Sequence, residues 1–243
     1  MKLNFKSFFR DFVEIIYPRA TACIACGKEA RLYNRYGFCD TCYATLPFIE
    51  APYCSKCGRT IKEGEECNVC KDTNHVFTQA LSVFKYETPI SDMIQRFKYR
   101  NNTYLAEPMA RLMVDAIEDR GWEFDGIVPV PLHVKRLNLR GYNQAAYLAY
   151  SIGKLMGGKE VLSTVLIRIR NTPSQIGMDR DERMWNLYKS FEVRQGHIVE
   201  GKTILLVDDV LTTGSTVDHC SSVLLEAGAQ KIYVATFASS VYE

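Results

Sequence analysis

The chain has 243 residues, 47% of them hydrophobic and 24% charged, with 30 Lys and Arg against 28 Asp and Glu. That length suits one good-sized domain plus a smaller one, and the composition is that of an ordinary globular chain. The near-neutral balance excludes a bulk polycation, so any affinity for nucleic acid must come from a local patch, and no apolar run approaches the roughly 20 residues of a membrane span.

The first segment reads "MKLNFKSFFRDFVEIIYP". Lys6, Arg10, Asp11 and Glu14 interrupt any apolar stretch, and no small-residue cleavage site follows, so it is not a secretory signal. Phe5, Phe8, Phe12 and Ile15 or Ile16 recur at helical spacing. The expectation is an amphipathic helix docked on its own protein. Lying on a membrane surface is the alternative.

Eight of the 9 cysteines form CxxC pairs: Cys23/Cys26, Cys39/Cys42, Cys54/Cys57 and Cys67/Cys70. A disulfide scaffold belongs outside the cell, and nothing here exports the chain. Two residues between paired thiolates suit one tetrahedral metal ion, and glycine follows the second cysteine in "CIACGK" and "CSKCGR", letting the backbone turn back toward sulfur. The reading is two structural zinc ions, with an iron–sulfur cluster as the lesser alternative. Four protein ligands per ion close each site to catalysis. Sequential grouping puts Cys23, Cys26, Cys39 and Cys42 on one ion and Cys54, Cys57, Cys67 and Cys70 on the other. An interleaved cross-brace stays open. Cys220 stands alone in a helical stretch and reads as a buried core residue.

Residues 1–75 hold 11 Lys and Arg against 9 Asp and Glu, a balance of +2, which eight thiolates and two divalent ions change to −2. The cysteine module is therefore no basic nucleic-acid clamp. Residues 76–243 balance at 19 against 19. The expected domains are 1–75, cysteine-studded and turn-rich, and 76–243.

Beyond residue 75, strands and helices alternate. "ALSVFKY" reads as a strand, followed by helices from Pro89 to about Tyr99 and from Tyr104 to Arg120. "GIVPV" is a short buried strand, Gly141 to Met156 a helix, and "TVLIRI" a strand. The stretch from Arg170 to Tyr188 is polar and arginine-rich, without a period. "TILLV" is a strand, Ser215 to Glu226 a helix, and "KIYVATF" the last strand. This alternation means βαβ units: an α/β fold with a Rossmann-like, mostly parallel sheet.

Ligands of such sheets sit beyond the carboxyl ends of the strands. In "ILLVDDVLTTGSTV", Asp208 and Asp209 leave a strand and Thr212, Thr213, Gly214, Ser215 and Thr216 turn into a helix. Amides at a helix N-terminus and hydroxyl donors favour a phosphate. No Lys follows the glycine, so this is no Walker loop. Carboxylates beside a phosphate make sense facing sugar hydroxyls, and together these describe a ribose 5-phosphate. A second segment, "VPVPLHVKRLNLRGYNQ", lies in a window without acidic residues between Asp125 and Glu160. Its Arg136 and Arg140 suit a second anion such as a diphosphate, whereas Lys154 and Lys159 read as a solvated helix end. The third segment, "RIRNTPSQIGMDRDERMWN", has the length and polarity of a lid that excludes water or of a disordered loop. "QRFKYRNNTY", with Lys98 and Arg100, reads as an amphipathic helix end. Its cationic and aromatic mixture also suits single-stranded nucleic acid.

These motifs and their order resemble the ComF family, the competence protein F group. "ILLVDDVLTTGST" looks like the phosphoribosyl diphosphate (PRPP) motif of type I phosphoribosyltransferases. The likeness runs from about Tyr17 to Ala238. It implies a double zinc ribbon joined to a phosphoribosyltransferase fold, and a cytoplasmic role in DNA uptake during natural transformation. It places Asp208 and Asp209 on the ribose hydroxyls and Thr212, Thr213, Gly214, Ser215 and Thr216 around the 5-phosphate. Pro131, Leu132 and His133 fall in the pyrophosphate loop, with Arg136 and Arg140 close behind. Arg170, Thr172, Gln175 and Arg183 fall in the loop that closes over the site. Mg²⁺ would accompany PRPP, bridging diphosphate and ribose. No acceptor pocket is recognisable. Three readings follow: a phosphoribosyltransferase of unknown acceptor, a PRPP or nucleotide sensor without turnover, and a single-stranded DNA handling protein working with the uptake machinery.

Overall fold

The computed structural model describes residues 22–29, 34–170 and 190–240. The N-terminal helix expected over Phe5 to Ile16 lies outside them, as do Thr172, Gln175 and Arg183. The chain divides into two compact units at Leu46/Pro47. The second pair of CxxC motifs thus belongs to the larger unit, well before residue 75.

In the smaller unit, Cys23 and Cys26 form a tight turn. The Gly27 amide donates to the Cys23 carbonyl at 2.8 Å, and the Cys23 amide to the Lys28 carbonyl at 2.9 Å. Asn34 closes the next turn, its Oδ1 accepting from the amides of Tyr36 and Phe38. Cys39 then opens the short helix α1 (Asp40–Tyr43), and Phe38 is fully buried.

The larger unit repeats this turn. The Gly58 amide donates to the Cys54 carbonyl at 2.9 Å and the Cys54 amide to the Arg59 carbonyl at 2.7 Å. Cys67 precedes helix α2 (Asn68–Asp72). This copy lies against strand β1 (Gln79–Lys85), with the Ala80 amide donating to the Lys56 carbonyl at 2.8 Å. Gly58, at φ +72°, presses so closely on β1 that an added Cβ would stand 2.5 Å from the Ala80 carbonyl oxygen.

After β1 come α3 (Ile90–Tyr99), a 3-10 turn (Thr103–Leu105), α4 (Ala106–Asp119), β2 (Gly126–Pro129), α5 (Val134–Arg140) and α6 (Gln144–Leu155). Then follow β3 (Leu166–Arg168), β4 (Phe191–Val193), β5 (Thr203–Leu211), α7 (Ser215–Glu226) and β6 (Lys231–Ser239). Four strands form a wholly parallel sheet in the order β1-β6-β5-β2. Side chains alternate between the faces of a strand. Ile204 through Val207 are nevertheless all fully buried, so both faces are covered, as a parallel sheet requires. Helices α4 and α6 pack on each other and on the sheet. Helix α7 contributes Val217, Cys220 and Leu224 to a core with Val128, Leu206 and Val234, so Cys220 is the buried residue expected.

Two elements differ from the sequence reading. The helix expected from Gly141 is preceded by a separate one, α5. Gly141 takes the left-handed conformation at φ +80°, its amide closing α5 on the Leu137 carbonyl, and Asn143 then caps α6. The strand in "TVLIRI" pairs antiparallel with β4 in a sheet of its own, outside the parallel one. Among the described residues, no helix is long and apolar enough to cross a membrane.

Candidate functional site

Strand β5 runs apolar through Val207 and then carries Asp208 and Asp209 at its carboxyl end. Asp209 is 7% exposed, and the Lys98 ammonium from the end of α3 lies 2.8 Å from its carboxylate. The Asp208 carboxylate accepts the Asp209 amide at 2.8 Å. Burial and the neighbouring Asp209 charge push Asp208 up to about 7, against the pull of Lys98 and Arg168. Burial disfavours the charged form of Lys98, but Asp209 and Asp208 outweigh it and hold its pKa above the usual lysine value.

Past Leu211 the chain turns through Thr212 and Thr213 into Gly214, which caps α7 at φ +88°. The Thr213 and Ser215 hydroxyls lie 2.9 Å apart, and the Ser215 amide donates to the Thr213 hydroxyl oxygen at 3.4 Å. Hydroxyls and first-turn amides thus meet at the start of a 12-residue helix. One acidic side chain, Asp218, stands in that first turn, where it would oppose an anion. It is instead occupied by the His75 ring and by the Val76 amide, the latter at 3.1 Å.

Strand β2 pairs with β5, Pro129 opposite Val207, so the Pro131–His133 loop leaves the sheet beside the aspartates. Pro131 is buried, and Leu132 and His133 are half-buried. His133 caps α5, its Nδ1 accepting the Lys135 amide at 3.2 Å. Arg168, from β3, feels the charges of both Arg136 and Asp208. The Arg168 pKa is lowered by burial first and by Arg136 next, while Asp208 opposes the shift. Arg140 is turned elsewhere: it bonds Gln144 and the Tyr99 hydroxyl, each at 3.0 Å, and lies over the Tyr99 ring at 4.8 Å. Arg170 is exposed just beyond β3.

The cysteines gather in sequence order. Cys23, Cys26, Cys39 and Cys42 form one group and Cys54, Cys57, Cys67 and Cys70 the other, with sulfurs within 4.8 Å of one another in each. The interleaved arrangement is excluded. Four sulfurs this close cannot all be thiolates without a cation. Beside Cys54, Cys57 is pushed up to about 12 and Cys70 also rises, while the same contacts pull Cys54 well below the thiol range. Burial first, then the neighbouring cysteines, raises Cys42 to about 12. All-sulfur, closed, four-ligand sites are consistent with two structural zinc ions.

Four contributors were not legible as site residues. Lys98 reads as part of an amphipathic helix end or a single-strand surface, and Arg168 as the end of a strand opening the arginine-rich segment, neither as a partner of the aspartates. Their only signal was a cation at the end of an apolar element. Arg59 and His75 fell inside the cysteine module, yet Arg59 donates to the Leu211 carbonyl at 3.4 Å and to the Thr212 carbonyl. Nothing local to either residue announces a partner more than 140 positions away.

The family model for a double zinc ribbon domain matches residues 12–71, and that for a phosphoribosyl transferase domain matches residues 137–240. The chain is 30% identical over 219 residues to competence protein F of Haemophilus influenzae, covering 87% of this chain and 94% of that protein. It is 28% identical to the DNA utilization protein YhgH of Salmonella typhimurium, covering 82% of this chain and 95% of that one. It is 25% identical to competence protein ComFC of Streptococcus pneumoniae, covering 86% and 96% respectively. A cysteine-ribbon module followed by a phosphoribosyltransferase domain, in a chain this similar to competence protein F, places the protein in the ComF family.

Proposed function

We propose that the larger unit binds PRPP, or another ribose 5-phosphate ligand, together with Mg²⁺, and that this binding serves DNA uptake. The observation that carries the reading is the succession of Asp208, Asp209 and the Thr212–Thr216 turn at the N-terminus of a helix whose own acidic residue is already occupied. In this reading the two carboxylates accept hydrogen bonds from the ribose hydroxyls. The turn donates to the 5-phosphate. Arg136 and Arg168 face the diphosphate together with the Pro131–His133 loop. Mg²⁺ suits the diphosphate side because it needs few protein ligands and keeps its waters. The cationic half of the site then meets the anionic phosphates and the carboxylate half the neutral hydroxyl donors of one ligand.

Transfer, if the chain catalyses it, passes through a ribosyl cation, and the protein contributes positioning and charge placement. Of the loop residues that the family resemblance names, Arg170 ends the described stretch, and Thr172, Gln175 and Arg183 lie outside it. The deciding experiment is calorimetry with PRPP and Mg²⁺, followed by mass measurement of the products from labelled PRPP. Binding that vanishes in Asp208→Asn/Asp209→Asn supports the reading. Equal affinity in parent and variant overturns it.

A second reading, single-stranded DNA handling, rests on a surface beside this site. Tyr99 and Tyr104 are 64% and 63% exposed, and Arg140 stacks on Tyr99. Exposed rings beside cations suit base stacking and backbone neutralisation. Binding of this kind weakens steeply with salt and responds to Tyr99→Ala and Arg140→Ala, not to the aspartates.

A further inference from the structure

The second cysteine module touches the phosphate turn at two points that neither metal binding nor the sheet requires. The first is Arg59, two residues past Cys57 and 5% exposed. Its guanidinium reaches the Cys57 sulfur at 4.0 Å on one side and the carbonyls of Leu211 and Thr212 on the other. Strand β5 ends at Leu211, so the Thr212 carbonyl lies beyond the β5 ladder. In a planar trans peptide the carbonyl and the amide of one unit point in opposite directions. The Leu211 carbonyl also accepts the Ser240 amide at 3.0 Å, so the Arg59 contact that matters is the one to the Thr212 carbonyl, and fixing it aims the Thr213 amide away from Arg59.

The second point is His75, which follows the module and is 4% exposed. Its ring stacks on Phe77 at a centroid distance of 4.8 Å and bonds the Asp218 carboxylate. The same ring lies so close to Gly214 that an added Cβ there would stand 2.8 Å from Cε1. Asp218 is one turn into α7, and its amide bonds the Gly214 carbonyl at 2.9 Å. His75 thus braces the glycine of the turn and neutralises the hydrogen-bonding demand of the carboxylate that would oppose an anion.

We propose that Arg59 and His75 are positioning residues through which the Cys54, Cys57, Cys67 and Cys70 module holds the Leu211–Ser215 turn ready for a 5-phosphate. The inference rests on the ribose 5-phosphate reading for the identity of the ligand, but the coupling itself is a property of the turn. A merely packed module would steady the sheet as a whole. A positioning module changes the turn while the sheet stays as it was.

The test uses the full zinc-loaded chain and follows amide exchange of residues 211–217, with residues 203–207 as the internal reference. In Arg59→Gln the turn should exchange about tenfold faster and β5 at its original rate, with zinc content unchanged. Arg59→Lys, which restores one donor, should recover much of the protection. Affinity for PRPP with Mg²⁺ should fall about tenfold in Arg59→Gln, the loss expected for a hydrogen-bonded charged group. Should Arg59→Gln lose zinc, Asp218→Asn decides instead, because it touches no cysteine: faster exchange in the turn supports the proposal. Unchanged exchange in the turn in these variants overturns it. A parent chain that binds no PRPP removes the proposed ligand, and exchange in the turn then decides the coupling alone.

Discussion

The Lys98 ammonium and the Asp209 carboxylate are 2.8 Å apart at the carboxyl end of β5, with side chains 19% and 9% exposed. A pair this enclosed is costly to break, because one partner alone leaves a buried charge uncompensated. Lys98→Met should therefore lower stability by roughly 3 kcal/mol at neutral pH. Adding Asp209→Asn should restore most of it. Denaturant unfolding of the two single variants and the double measures the coupling directly.

Asp208 supplies a pH dependence. Its folded pKa of about 7 lies above the ordinary carboxyl value, so the folded chain holds a proton that the unfolded chain releases. This contribution to stability is fully present below about pH 4 and is lost as pH rises toward 7. Asp208→Asn should thus stabilise the ligand-free chain by roughly 1–3 kcal/mol at pH 8 and little at pH 4. Ligand binding has the opposite requirement, since hydroxyl donors need the carboxylate. PRPP affinity should strengthen between pH 6 and pH 8 in the parent. Thermal unfolding and calorimetry across that range test the two slopes.

The two metal sites should respond separately. Cys23→Ser and Cys54→Ser should each lose one ion by elemental analysis, because each cluster draws its sulfurs from one half of the cysteine set. Only Cys54→Ser should loosen the larger unit, whose core includes Cys54, Cys57 and Cys70. Equal loss of stability in both variants would count against this separation.

In cells, Asp208→Asn should abolish transformation at an unchanged protein level by immunoblot, and Asp208→Asn/Asp209→Asn should do the same when Lys98→Met is added to remove the uncompensated charge. Full transformation with either variant would make the sugar-phosphate site dispensable for uptake. Tyr99→Ala should act instead on salt-sensitive binding to single strands.

Much of this fold is legible along the chain because its strands are short apolar runs and its turns carry glycine or hydroxyl groups. "TILLV" reads as a strand, although β5 runs on through both aspartates to Leu211, and α7 begins at Ser215 as the turn composition demands. Each CxxC knuckle is legible for the same reason, since two-residue spacing is a local constraint, but which knuckles share an ion is not, and the structure supplies the sequential grouping. What was not legible depends on distance in sequence. Lys98 finds Asp209 only after α3 has packed beside β5, and Arg59 finds Thr212 only after the second cysteine module lies across β1. The place of β3 is likewise a tertiary outcome. Its composition matches a core strand, but its partner is β4, a short segment with too few residues to announce itself.

The glycines of "CIACGK" and "CSKCGR" occupy equivalent positions and share φ +72°. Among the described residues, a Cβ on Gly27 would meet nothing within 4 Å, whereas one on Gly58 would strike the Ala80 carbonyl. Two copies of one motif have thus come under different constraints. Among the described residues Gly27 answers to its own backbone and tolerates a residue that accepts the left-handed conformation, such as asparagine. Gly58 answers also to β1 and admits no side chain at all. Transplanting the first knuckle into the second position would preserve the metal ligands and the turn glycine. It would also replace Arg59 with Lys, because Lys28 stands at that place. The second copy is no longer interchangeable with its twin, and a chimaera of the two would bind metal yet lose the guanidinium that reaches β5.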